Sequence, residues 1–157
     1  MCKKNLKILA VLDNLAEVLK NVDLQLEKEG CPPKIMMQID IAVEELFVNI
    51  ANYAYSPEIG EADILIETLD SCPIPEEGRA GLSQKDLDGR WVRVTLSDSG
   101  MPFNPLKKDD PDVSLPADKR RIGGLGIFMV KKSMDYMYYE YKDGKNHISI
   151  CKKLRSS

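Results

Sequence analysis

The stretch Ile39-Asp-Ile-Ala-Val-Glu-Glu-Leu-Phe-Val-Asn-Ile-Ala-Asn-Tyr-Ala-Tyr55 decides how the rest of the chain is read. Apolar residues at Ile35, Ile39, Ala42, Val43, Leu46 and Ile50 recur at helical spacing and form one core-facing stripe. Glu45, Asn49 and Asn52 fall on another face, and Glu45 and Asn49, four apart, stack on each other. A neutral amide oxygen beside a carboxylate suits a Mg²⁺ that bridges phosphates and a proton taken from an attacking hydroxyl. By itself the pair is also what a solvated helix face looks like, so its meaning depends on the sequence around it.

Upstream, Gly30 is placed to end a preceding helix, and Cys31-Pro-Pro allows a new one to start near Lys34. That preceding helix carries Leu15, Val18, Leu19, Val22 and Leu26 at helical spacing, behind a strand over 4–11. Downstream, Ser56-Pro57 stops the long helix. Strands are expected over 62–69 and 91–97, the second with Val92, Val94 and Leu96 on one side. The polar, Gly- and Pro-containing segment 70–90 reads as a long hairpin insertion between them.

Two further motifs follow. Ser97-Asp-Ser-Gly-Met-Pro-Phe-Asn-Pro105 places an acid at a strand exit, where Asp98 can accept from an exocyclic amine such as that of adenine. Gly100 then permits close approach of the backbone, although an acid and a glycine after a strand also make an ordinary turn. In Arg120-Arg-Ile-Gly-Gly-Leu-Gly-Ile-Phe-Met129, three glycines lead into a helix over 125–134, and their amides with the helix N-terminus make an anion site. Two closing strands, 136–142 and 147–154, are joined by Asp143-Gly144.

Competing motifs fail. Gly126-Ile-Phe-Met-Val-Lys-Lys-Ser133 mimics a P-loop, but Lys131 stands where a second glycine is required. A dinucleotide fingerprint is missing its third glycine, Met129 occupying that place. The single histidine, His147, has no nucleophile motif near it and reads as a half-buried strand residue.

The chain has 157 residues, enough for one domain with a sizeable core, and its 43% hydrophobic and 30% charged shares belong to a globular protein. A net charge of -3 with dispersed basic residues argues against nucleic acid as the main partner. No apolar run reaches the roughly 20 residues of a membrane helix, and the N-terminus lacks a secretory pattern, so a cytoplasmic location is expected. The four cysteines are far apart, with no metal-binding spacing, and read as reduced thiols.

In this order the three motifs resemble the N, G1 and G2 boxes of the GHKL ATPase superfamily, which includes gyrase, heat-shock chaperone ATPases, histidine kinases and MutL proteins. The wording Asp98-Ser-Gly-Met-Pro-Phe-Asn-Pro105 and the run Gly-Gly-Leu-Gly-Ile-Phe look like the anti-sigma-factor serine kinases. The resemblance covers the chain from Lys34 to Leu154 and implies an α/β, or α+β, two-layer sandwich: a mixed, mostly antiparallel sheet with helices on one face. It implies one domain over 1–157, with an ATP lid over 101–122.

It also implies Mg-ATP as cofactor, Glu45 as the residue that activates a serine hydroxyl and Asn49 as the metal ligand. Asp98 would contact adenine, Gly100 would line the base pocket, and Ser149 would join Asp98 there. Asn52, Arg121, Gly123, Gly124, Leu125 and Gly126 would complete the nucleotide site, and Lys119 and Arg120 would meet phosphate or partner. The partners implied are an anti-anti-sigma (STAS-type) protein and a sigma factor, with a homodimer expected by analogy. Tyr53 stands where these kinases commonly have histidine, and the insertion 70–90 is longer than their turn, which leaves partner choice open. Two rivals remain at this point: a non-catalytic nucleotide-sensing module, and a histidine kinase catalytic domain, disfavoured because Glu45 stands where those enzymes usually have asparagine.

Overall fold

The computed structural model describes residues 2–107 and 124–154. Strand β1 (Cys2–Leu9) leads into helix α1 (Leu15–Lys28), which ends as its sequence requires. Gly30 has φ of 72°, its amide donates to Glu27 and that of Cys31 to Leu26, the paired bonds of a Schellman cap. Helix α2 (Pro33–Asn49) starts with a proline in its first turn, where the missing N–H costs nothing.

The periodicity predicts a helix running to Tyr55. Instead α2 gives way after Asn49 to a π-helical turn, Ile50–Ala54, a widening found mostly at functional sites.

Strands β2 (Glu61–Leu69) and β3 (Trp91–Asp98) form the long hairpin around 70–90, which includes the one-turn helix α3 (Gln84–Leu87). Ser83 and Asp86 form a reciprocal capping box on α3. Helix α4 (Gly124–Ser133) and the hairpin β4 (Tyr136–Lys142) and β5 (Lys145–Lys153) complete the chain. Asp143 and Gly144 both have positive φ, 55° and 76°, the turn that matches strand twist.

The sheet order is β1-β2-β3-β5-β4, and the expected mostly antiparallel sheet is antiparallel at every pairing among the described residues. Two helices between β1 and β2 return the chain in reverse. β3 and β4 point the same way, but β5 folds back and slots between them, so among the described residues no parallel pair forms.

Strand alternation assigns the two faces. Ile64, Ile66, Val94, Leu96, Ile148 and Ile150 meet Val18, Val22 and Leu26 of α1, Ile39, Val43 and Phe47 of α2 and Ile127 and Val130 of α4 in the main core. The opposite face holds a smaller cluster of Ile74, Trp91 and Cys151, packed against by Cys72, Tyr136 and Tyr138. The insertion therefore covers part of the face that the helices leave open. The four cysteines are free thiols, and burial pushes that of Cys151 up to about 12.

Candidate nucleotide site

Asp98 is the last residue of β3, on its helix-facing side, opposite Asn146 of β5. It is buried, and its Oδ1 accepts from the Gly100 amide at 2.9 Å, closing a tight turn, and from Asn146 Nδ2 at 2.9 Å. Among the described residues both bonds fall on Oδ1 and none on Oδ2.

Asn146 holds the loop that follows. Its Nδ2 also donates to the Met101 carbonyl at 3.0 Å, while its Oδ1 accepts from the Phe103 amide at 3.0 Å and from the Tyr139 hydroxyl. Carbonyls only accept and amides only donate, so these contacts allow the Asn146 side chain a single orientation.

Two glycines bring the other motifs against α2. A Cβ on Gly100 would run into the carbonyl of Ala54, and one on Gly126 would run into the Glu45 carboxylate. The bare backbone of α4 thus lies directly on the acid of the first motif. Burial pushes Glu45 above the usual carboxylate range, and a hydrogen bond from Asn49 draws it partly back. A raised carboxylate holds a proton more firmly than an ordinary one, which suits it to accept a proton from a neighbouring hydroxyl.

Asn49 is half-buried at the end of α2, but Asn52 is exposed, because the π turn rotates it off the Glu45–Asn49 face. Gly124 and Leu125 open α4, whose first-turn amides have no partner within the helix itself. Arg121, Gly123, Lys119 and Arg120, and most of the lid expected over 101–122, lie outside the described residues.

Ser149 is a correction. It pairs with Thr95, bonds to the Thr95 hydroxyl at 2.8 Å and faces away from the helices. It stands three residues from Asn146, about 10 Å along the strand, and an odd offset puts it on the opposite face. Asn146 occupies the place expected of Ser149 beside Asp98. The sequence reading missed it because the two-residue turn sets the β4–β5 register but no local signal sets that of β5 on β3.

The three motifs thus converge at the ends of β3, α2 and α4. A family profile described as the histidine kinase-like ATPase domain matches residues 8–152. The chain belongs to the histidine kinase-like ATPase family.

Among solved structures, this ATPase domain is similar to "The crystal structure of the RsbU and RsbW domains of Rv1364c from Mycobacterium tuberculosis", with a TM-score of 0.59 at 11% identity. The likeness covers 98% of this chain and 33% of that one, so it speaks for the fold alone. No curated protein matches the sequence. As a histidine kinase-like ATPase domain it is an ATP-binding unit of the GHKL type. Among its described residues no helix is long and apolar enough to cross a membrane.

The donor set fits Mg²⁺ as a companion of phosphates. Asn49 offers a neutral oxygen, and among the described residues no group of three His, Cys, Asp or Glu could hold a cation unaided.

Proposed function

We propose that the chain is a Mg-ATP-dependent protein serine kinase of the anti-sigma-factor type, whose substrate is a serine on an anti-anti-sigma (STAS-type) partner. The observation that carries this reading is the Glu45 carboxylate, raised by burial and lying against Gly126 at the start of α4. A domain that only sensed nucleotide would have no use for a base at that place.

In this reading Oδ2 of Asp98 accepts from the adenine amine, and the α4 amides face the phosphates. Glu45 takes the proton from the serine hydroxyl as its oxygen bonds to the γ-phosphorus and the bond from that phosphorus to the β,γ-bridging oxygen breaks, releasing ADP. Asn49 is the ligand for Mg²⁺, which when bound supplies charge neutralisation along the phosphates. Sequestration of a sigma factor, a homodimer and a cytoplasmic setting belong to the same proposal by analogy with the anti-sigma-factor kinases.

The test is labelled ATP with a candidate STAS-type serine protein. Glu45→Ala should keep nucleotide affinity within about threefold yet lose at least about a hundredfold in transfer, the usual worth of a general base. Normal transfer by that variant would overturn the assignment of the base. Transfer absent from the unaltered chain, with nucleotide binding intact, would favour the nucleotide-sensing module.

A further inference from the structure

The loop that follows Asp98 is gripped a second time, from the side opposite Asn146. Tyr55 comes directly after the π turn that ends α2. Its hydroxyl donates to the Glu61 carbonyl at 2.6 Å and accepts the Ser99 amide at 2.7 Å. A phenol has one proton to give, and Glu61, whose carbonyl only accepts, receives it. The amide of Ser99 can then only be met by the phenol's lone pair.

The ring is fixed as well. It lies across Gly60 so closely that a Cβ there would collide with it. One residue earlier, the carbonyl of Ala54 fills the space that a side chain on Gly100 would need. Tyr55 therefore joins three segments at one atom: the end of the helix that carries Glu45 and Asn49, the start of β2, and the exit of β3 beside Asp98.

We propose that Tyr55 is a positioning residue for adenine selectivity, its hydroxyl setting where the Asp98 loop stands relative to the helix of Glu45 and Asn49. The inference rests on the reading of Asp98 as the adenine contact. Adenine presents an amine where guanine presents a carbonyl oxygen, so a carboxylate accepts from one and repels the other. That discrimination needs the carboxylate oxygen held in place, since hydrogen bonds weaken steeply with misalignment. Without the phenol, the Ser99 amide must find water or another acceptor, and the loop moves with it.

Tyr55→Phe removes both bonds and keeps the ring on Gly60. Titration of the full chain with Mg-ADP and Mg-GDP should show the preference for ADP falling about tenfold, the scale of one lost hydrogen bond. The magnesium concentration for half-maximal ADP binding should stay unchanged, because the phosphate end is not touched. The Ser99 amide should exchange faster with solvent while that of Leu96 in mid-strand stays protected.

Equal weakening of both nucleotides, or an unchanged preference, would overturn the role, because a general loss of structure does not choose between bases. Failure of the unaltered chain to bind any adenine nucleotide would sink the nucleotide reading itself, and shows before a variant is made. Should Tyr55→Phe not fold, Gly60→Ala drives the ring aside with the phenol intact and must lower the same ratio for the inference to stand.

Discussion

At Gly126 the atoms that an added Cβ would meet are the tip of the Glu45 side chain, whereas at Gly100 they are the backbone of Ala54. A carboxylate on a flexible stem can swing aside, and a carbonyl fixed in a helical turn cannot. Gly126 also lies inside α4, where alanine favours the helix by roughly 0.5–1 kcal/mol over glycine. Gly126→Ala should therefore keep or slightly raise the thermal midpoint while displacing Glu45, with transfer falling at least about tenfold and ADP affinity changing less. Gly100→Ala should instead lower stability by about 1–3 kcal/mol in denaturant unfolding and weaken nucleotide binding with it. The reverse pattern, a destabilised Gly126→Ala with normal transfer, would dissociate Glu45 from the chemistry.

Between α1 and α2, Oδ1 of Asp23 and Oδ1 of Asp40 are both shut off from solvent and meet no donor among the described residues. A proton kept on Asp40 is one that its carboxyl can donate to Asp23. Burial first, then the Asp23 carboxyl and the charge of Glu44, raise Asp40 from 3.8 to about 8. The consequence for stability follows in sign. Below the ordinary aspartate range both folded and unfolded chains hold this proton. As pH rises the unfolded chain releases it while the folded chain retains it, so Asp40 erodes stability progressively from about pH 4 until it ionises in the folded state near pH 8. Asp40→Asn supplies a permanent donor to Asp23 and should raise the thermal midpoint at pH 8 by at least about 2 °C, with little change at pH 4. Melting curves at both pH values decide it, and equal shifts at the two would remove the proton kept on Asp40.

Across the whole molecule the helices and the insertion lie on opposite faces of one sheet, which separates nucleotide chemistry from whatever meets the 70–90 segment. Trp91, the single tryptophan, is buried under that segment, its Nε1 donating to the Leu87 carbonyl at 3.0 Å. The Gly78 backbone lies against the Tyr136 ring, and Lys153 Nζ donates to the Lys85 carbonyl at 2.8 Å. Replacing residues 71–89 by a two-residue turn should shift Trp91 fluorescence to longer wavelength as the ring meets water. ADP affinity should stay within about threefold, since the described hydrogen bonds of residues 99–103 run to Tyr55, Asp98 and Asn146 and not to the insertion. Loss of nucleotide binding in a variant that remains folded would show that the two faces are coupled.

Much of this architecture was legible along the chain because it depends on local rules. Apolar spacing revealed α1 and α2, Gly30 and the two prolines marked the break between them, and Asp143-Gly144 announced the last hairpin. The residue types of Glu45, Asn49, Asp98, Gly100 and Gly126 likewise identified the three motifs before any of them were seen together. Other features depend on partners distant in sequence. The antiparallel placement of β5, the π turn that turns Asn52 outward, the exchange of Ser149 for Asn146 and the bridge made by Tyr55 each arise where separate segments must satisfy one another's backbone groups. Periodicity and propensity act over a few neighbouring residues, so they name the elements and their inward faces. The register of β5 on β3, which decides what stands beside Asp98, is set only when both strands bury those faces against the same helices.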